Sequence, residues 1–119
     1  MNVLVVDDET SLLQLLSQHL VRQGHTVDTA VSVATALELI ARLGAAAYDF
    51  ALIDWTLPDG NGLDVAREIL TTGAKVRVVF TSGYPIDSTI LPVEMRGRVQ
   101  ILQKPFLPRA LGELLNSSA

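Results

Sequence analysis

The chain has 119 residues, 49% of them hydrophobic, with 13 acidic and 9 basic side chains and a net charge of -4. That length fits one domain, spanning 1–119, with a real core, and that apolar content excludes disorder. The acidic balance argues against nucleic-acid binding by this domain, and the zero cysteine count excludes disulfides and thiolate chemistry and suits a reducing cytoplasm. No apolar run is long enough to cross a bilayer, and the N-terminus lacks the basic region of a signal peptide, so no membrane role is expected.

Strand-like and helix-like runs alternate along the chain. Asn2 to Val6 is short and β-branched, a first strand, and it ends abruptly in Asp7-Asp8-Glu9. Thr10 to Gln23 carries Leu12, Leu13, Leu16 and Leu20 at helical spacing, with Gly24 as its stop and the acids at its positive end. Thr26 to Ala30 is a second strand. Ser32 is placed to cap a helix whose apolar stripe is Val33, Leu37, Ile40 and Ala41. Phe50 to Ile53 is a third strand, closed by Asp54 and a turn cluster, Pro58-Asp59-Gly60-Asn61. Asn61 to about Thr72 has Leu63, Ala66, Ile69 and Leu70 on one face and ends at Gly73. Val76 to Phe80 is a fourth strand, followed by Thr81 and Ser82.

The next stretch, Ile86 to Met95, reads as a short, broken or displaced helix. Pro92 inside a helix costs about 3 kcal/mol, and Pro85 and the β-branched Thr89 weaken the run further. Val99 to Leu102 is a fifth strand, followed by Gln103 and Lys104. Pro108 opens a last helix with Leu111, Leu114 and Leu115 as its stripe. The tail Asn116-Ser117-Ser118-Ala119 reads as disordered.

This alternation predicts an α/β fold: a five-stranded parallel sheet in the doubly wound order 2-1-3-4-5, flanked by five helices of which the fourth is irregular. In a parallel sheet the residues that follow the strands share one edge. Asp7, Asp8, Asp54, Thr81, Ser82 and Lys104 would therefore converge, with strands one and three at the switch point where ligands bind. Three clustered carboxylates repel one another by about 4 kcal/mol per pair at an effective dielectric of 20 and a spacing of about 4 Å, so a cation is the expected answer. Oxygen ligands without His or Cys favour Mg²⁺. The chemistry these parts support is phosphoryl transfer onto a carboxylate, with Asp54 as nucleophile and Lys104 and Thr81 stabilising the anion.

Four motifs, Val5-Val6-Asp7-Asp8-Glu9, Asp54-Trp55-Thr56-Leu57-Pro58-Asp59-Gly60-Asn61-Gly62, Thr81-Ser82-Gly83 and Lys104-Pro105-Phe106, stand in order and are spread over essentially the whole chain. In these the chain resembles the receiver domain of bacterial two-component response regulators and hybrid sensor kinases. The resemblance implies that Asp54 is the phospho-acceptor and that Asp8, Asp54 and the backbone carbonyl of Thr56 ligate Mg²⁺, with Asp7 acting through water. It also implies that Thr81 and Lys104 contact the phosphoryl group and that Lys104-Pro105 is a cis peptide. The donor would be a phosphohistidine on a histidine kinase or a histidine phosphotransfer protein, and the acyl phosphate would later hydrolyse. Such a domain promotes its own phosphorylation and dephosphorylation without being a dedicated enzyme; it is cytoplasmic, has a downstream partner the sequence does not name, and can form homodimers. One position departs from the family. An aromatic often stands three residues before the lysine; here it is Ile101, which puts the usual aromatic-coupled switch in doubt. The Gly83-Tyr84-Pro85 run looks more like receivers attached to hybrid kinases, and the chain reads as either a single-domain regulator or a piece of a larger protein.

Each motif also has a plainer reading: a charged helix start for Asp7-Asp8-Glu9, a turn residue for Asp54, a turn for Thr81-Ser82-Gly83, a solvated lysine for Lys104. Four such coincidences at one sheet edge are a poorer account than one site. Trp55 is expected to flank the site, Phe106 to pack under the last helix, and His19 and His25 to stay outside the chemistry. The main alternative is an interaction module of the same fold that no longer uses phosphate. A flavodoxin-type cofactor site is disfavoured because the acidic triplet after the first strand would repel phosphate. An aspartyl-phosphate hydrolase is disfavoured because Thr56 stands where a second acid is needed.

Overall fold

The computed structural model describes residues 1–72 and 75–116. Five parallel strands, β1 (Asn2–Val6), β2 (Thr26–Ala30), β3 (Phe50–Asp54), β4 (Arg77–Ser82) and β5 (Val99–Gln103), form one sheet in the order β2-β1-β3-β4-β5. This is the doubly wound order expected from the sequence. Four α-helices accompany them among the described residues: α1 (Thr10–Arg22), α2 (Val33–Leu43), α3 (Gly62–Thr71) and α4 (Pro108–Asn116).

Side-chain alternation along the strands divides the core in two. Val3 and Val5 of β1, Leu52 of β3 and Val79 of β4 face one side and pack with Leu13, Leu16 and Leu20 of α1 and Leu111 and Leu115 of α4. Leu4, Val6, Ala51, Ile53, Val78 and Phe80 face the other and pack with Val33, Ala36 and Ile40 of α2 and Val65, Ala66 and Ile69 of α3. A strand buried on both faces has no polar side to offer water, which is why β3 is apolar up to its last residue. Each such buried aliphatic side chain contributes roughly 1.5–3 kcal/mol, so a slipped register would be costly.

The helix ends follow the capping residues. Ser32 accepts the Thr35 amide at 3.1 Å and starts α2. Asn61 and Asp64 form a capping box on α3, the Asn61 side chain accepting the Leu63 amide at 2.8 Å. Gly24, just past α1, has φ 92°, the left-handed value that a helix stop needs. Asn116, which the sequence placed in a disordered tail, is the last residue of α4; residues 117–119 and the expected stop at Gly73 lie outside the described residues.

Two stretches differ from the sequence reading in detail. Between β4 and β5 the weak helix is replaced by two 3-10 turns, Ser88–Ile90 and Val93–Met95, with Pro92 immediately before the second. Proline there removes a donor and blocks a continuous α-helix, the outcome its position implied. After β3 the chain does not simply turn. Thr56–Leu57 pairs antiparallel with Gly60–Asn61 in a minimal ladder with Pro58-Asp59 at its tip.

Candidate functional site

Asp54, Thr81 and Ser82 are still strand residues, whereas Asp7 and Lys104 follow their strands directly and stay hydrogen-bonded to the neighbouring one. Asp7 follows β1 directly, and its amide donates to the Ala30 carbonyl of β2 at 3.0 Å, which pins it to the sheet edge. Its Oδ1 accepts the Glu9 amide at 2.9 Å, an Asx turn that leads into α1. Asp54 is the last residue of β3 and pairs in register with Thr81 of β4. The Trp55 amide donates to the Thr81 carbonyl at 2.8 Å, and the Lys104 amide to the Ser82 carbonyl at 2.7 Å. The Lys104-Pro105 peptide is cis.

These backbones bring the charges together. Lys104 Nζ lies 2.8 Å from Asp7 Oδ2 and 3.2 Å from Asp54 Oδ2. Carboxylate oxygens of Asp7, Asp8 and Asp54 all lie within 4.8 Å of one another. Asp7 and Asp54 are buried, 3% and 7% exposed, whereas Asp8 faces solvent. Asp54 Oδ1 also faces the Thr56 amide, at a long 3.4 Å. Thr81 and Ser82 are both buried, but they turn to opposite faces of β4. Thr81 stands beside Asp54, while the Ser82 hydroxyl accepts the Tyr84 amide at 3.2 Å and begins the segment that follows.

One ammonium shared between two buried acids leaves the pocket short of positive charge. Burial pulls the Lys104 ammonium toward neutrality, but the hydrogen bond and charge of Asp7, joined by Asp54, outweigh it and hold the lysine protonated. Asp54 has the longer contact and less compensation. Burial, then the negative charge of Asp7, push its carboxyl above the ordinary carboxylate range, against the pull of Lys104 and the Thr56 amide. The donor set is oxygen only, over-supplied with negative charge and open to water on the Asp8 side. It therefore fits a hydrated divalent cation such as Mg²⁺, which takes one or two carboxylates and keeps several waters.

Other residues lie where the sequence placed them or supply the frame. Trp55, next to Asp54 in the chain, is 6% exposed and meets Phe80 edge-to-face at 5.2 Å, so its ring belongs to the α2–α3 core. Gly62 is a requirement the sequence reading missed. Its amide donates to the Trp55 carbonyl at 2.9 Å, and a Cβ there would lie 2.5 Å from the Asp54 carbonyl oxygen. The ladder after Thr56 was also missed, although Pro58-Asp59-Gly60 between Leu57 and Asn61 carries a hairpin-type turn signal. Phe106 packs at the edge of the α1–α4 core. His25 Nδ1 sits 3.1 Å from the Met1 amino nitrogen, remote in sequence and in contact from the acids.

A doubly wound sheet with an acidic, lysine-bearing crevice at the carboxyl ends of its strands defines the class: a small α/β domain built to hold a cation and an anionic group together. Residues 3–116 match the family model for the response regulator receiver domain. RegA of Cereibacter sphaeroides, a photosynthetic apparatus regulatory protein, is 34% identical over 104 residues, covering 87% of this chain and 55% of RegA. The transcriptional regulatory protein CutR of Streptomyces coelicolor is 35% identical over 116 residues, covering 97% of this chain and 50% of CutR. The crystal structure of a response regulator receiver domain protein from Clostridium thermocellum superposes with a TM-score of 0.82 at 27% identity, covering 97% of this chain and 90% of that one. This chain belongs to the response regulator receiver domain family. It spans about half the length of RegA and CutR. It is thus a signalling domain of a two-component system, and histidine kinases are the general partners of that family. No helix among the described residues is long and apolar enough to cross a membrane.

Proposed function

We propose that this domain accepts a phosphoryl group on Asp54 from a phosphohistidine, in a Mg²⁺-dependent reaction, and that it works in the cytoplasm. The observation that carries the reading is the shared contact of Lys104 Nζ with Asp7 and Asp54 beside the exposed Asp8. Asp8, Asp54 and the Thr56 carbonyl would hold the cation, with Asp7 reaching it through water. Bound there, Mg²⁺ supplies charge neutralisation for the phosphoryl oxygens.

The chain's own groups do the rest. A carboxylate oxygen of Asp54 attacks phosphorus as the phosphorus–nitrogen bond of the donor breaks; the imidazole leaves with the electron pair and takes a proton from water. Lys104 is already held protonated by the acids, so it meets the transferred negative charge without having to gain a proton. Thr81 stands in register with Asp54 and donates a hydrogen bond to a phosphoryl oxygen, with the Ser82 hydroxyl one residue away. Hydrolysis of the resulting acyl phosphate resets the domain. A histidine phosphotransfer protein can take the kinase's place as donor, and the downstream partner is a protein that distinguishes the two states, a second copy of the domain included.

Acetyl phosphate provides the test. With Mg²⁺ the intact protein gains the mass of one phosphoryl group; chelation of Mg²⁺ or Asp54→Asn abolishes the gain, and a label that survives Asp54→Asn would place the acceptor elsewhere. Separate Thr81→Ala and Ser82→Ala variants assign the hydroxyl that meets the phosphoryl group.

Ile101 favours a second reading, an interaction module that does not use phosphate. It is half-buried against the α2–α3 core and offers neither a ring nor a hydroxyl to couple to the site. Failure of Mg²⁺-dependent labelling in folded protein would select this reading.

A further inference from the structure

We propose that Asp59 is a positioning residue for the Mg²⁺ site, tying the loop that presents the Thr56 carbonyl to the first turn of α2. The inference rests on the assignment of Thr56 as a metal ligand under the proposed function. Its basis is a contact between two elements far apart in sequence. Asp59 Oδ1 accepts the Val33 amide at 2.8 Å and Asp59 Oδ2 accepts the Ala34 amide at 2.9 Å. Both are amides that an α-helix leaves without an internal partner, and the helix's own cap, Ser32, takes a different one, Thr35. The two hydrogen bonds draw Asp59 below its ordinary carboxylate range, so it is ionised at neutral pH.

What this clamp holds is short and otherwise lightly tethered. Asp59 lies at the tip of the Thr56–Leu57 and Gly60–Asn61 ladder, which has only two residues on each side. The base is fixed by the Gly62 amide on the Trp55 carbonyl and by buried Leu57. The tip is fixed by Asp59, and the adjacent Gly60 is so close to α2 that a Cβ would lie 3.3 Å from Val33 Cγ2. A backbone carbonyl cannot swing to meet a metal as a side chain can. Its position must be set by the loop, and Mg²⁺ demands near-ideal octahedral geometry. Asp59 never touches the ion; it sets where Thr56 presents its oxygen.

The test separates this role from simple helix capping. Mg²⁺ is titrated into the wild-type domain, Asp59→Ala, Asp59→Asn and Ser32→Ala, by calorimetry and by Trp55 fluorescence, with a thermal melt of each metal-free protein. Ser32→Ala strips a cap from the same helix but leaves the loop clamp in place. Both alanine variants should melt a few degrees lower, about the shift a lost cap produces. Only Asp59→Ala should also weaken Mg²⁺ binding, about tenfold, the low end of what outer-shell groups contribute to metal affinity. Asp59→Asn, with a single acceptor oxygen, should fall between. Equal Mg²⁺ affinity in Asp59→Ala and wild type, or an equal loss in Ser32→Ala, overturns the positioning role. A wild-type domain that binds no Mg²⁺ overturns the proposed function itself, and this inference with it.

Discussion

The carboxyl edge of the sheet and the connection between β4 and β5 are built very differently. At the site, the groups that carry charge are the closing residues of hydrogen-bonded strands or are tied to the neighbouring strand by an amide, and Asp7 and Asp54 are almost wholly buried. In the connection from Gly83 to Arg98 no α-helix forms; Tyr84, Ile90 and Val93 are 51%, 52% and 74% exposed. That connection is held by Leu91 and Met95, buried against the α2–α3 core, and by the Arg96 guanidinium, which donates to the carbonyls of Leu91 at 3.1 Å and Thr89 at 2.9 Å. The contrast separates precision from compliance. The sheet fixes the groups of the candidate site, and the connection has few regular backbone hydrogen bonds, the pattern of a region that opens at low cost. Ser82 stands where they join, the last residue of β4, with its hydroxyl accepting the Tyr84 amide in the first turn of the connection.

The largest expected effect comes from breaking the rigid region. Gly62→Ala drives a methyl into the Asp54 carbonyl, and neither backbone can yield without moving the strand end. We expect a loss of about 2–3 kcal/mol in urea unfolding, the upper range for overpacking, together with weakened Mg²⁺ binding. Wild-type stability in that variant would show that the strand end is softer than the contrast requires.

Breaking the compliant region should do less and stay local. Arg96→Ala removes two charge-assisted hydrogen bonds at a largely exposed position, a loss of about 1 kcal/mol. Amide exchange should quicken across residues 88–98 while Mg²⁺ affinity holds. Faster exchange in β3 would mean the regions are not separable.

The smallest effect is electrostatic and sharpens the account of Asp54. Its carboxyl is raised in the folded, metal-free domain, so between the ordinary carboxylate range, about pH 4, and that raised value the folded state binds more protons than the unfolded one. This contribution therefore makes stability fall as pH rises through the window. Saturating Mg²⁺ or Asp54→Asn should flatten the slope, and an unchanged slope in Asp54→Asn would assign the titration to another group.

How much of this was legible beforehand follows from the physics of each part. The sheet order and both core faces could be read because strand and helix periods are local, and because acids after Val6 and Ile53 break apolar runs sharply. The irregular connection could be read from Pro85 and Pro92. Strand ends were placed one or two residues short, at Ile53, Phe80 and Leu102, because a terminal Asp, Ser or Gln looks like a loop residue although its backbone still pairs in the sheet. The Asp59 contact with α2 and the closeness of Gly62 to Asp54 had no such signal. Both join residues whose meeting depends on how helices dock, which no local pattern encodes.

The most direct test of the central claim is a crystal structure of the domain with Mg²⁺ and beryllofluoride. The account predicts an ion about 2.1 Å from oxygens of Asp8, Asp54 and the Thr56 carbonyl, with Asp7 reached through water, beryllofluoride on Asp54 and Lys104 Nζ turned onto a fluorine. An ion bound away from these acids at saturating Mg²⁺, or Lys104 turned to solvent with Asp54 unmodified, would contradict it.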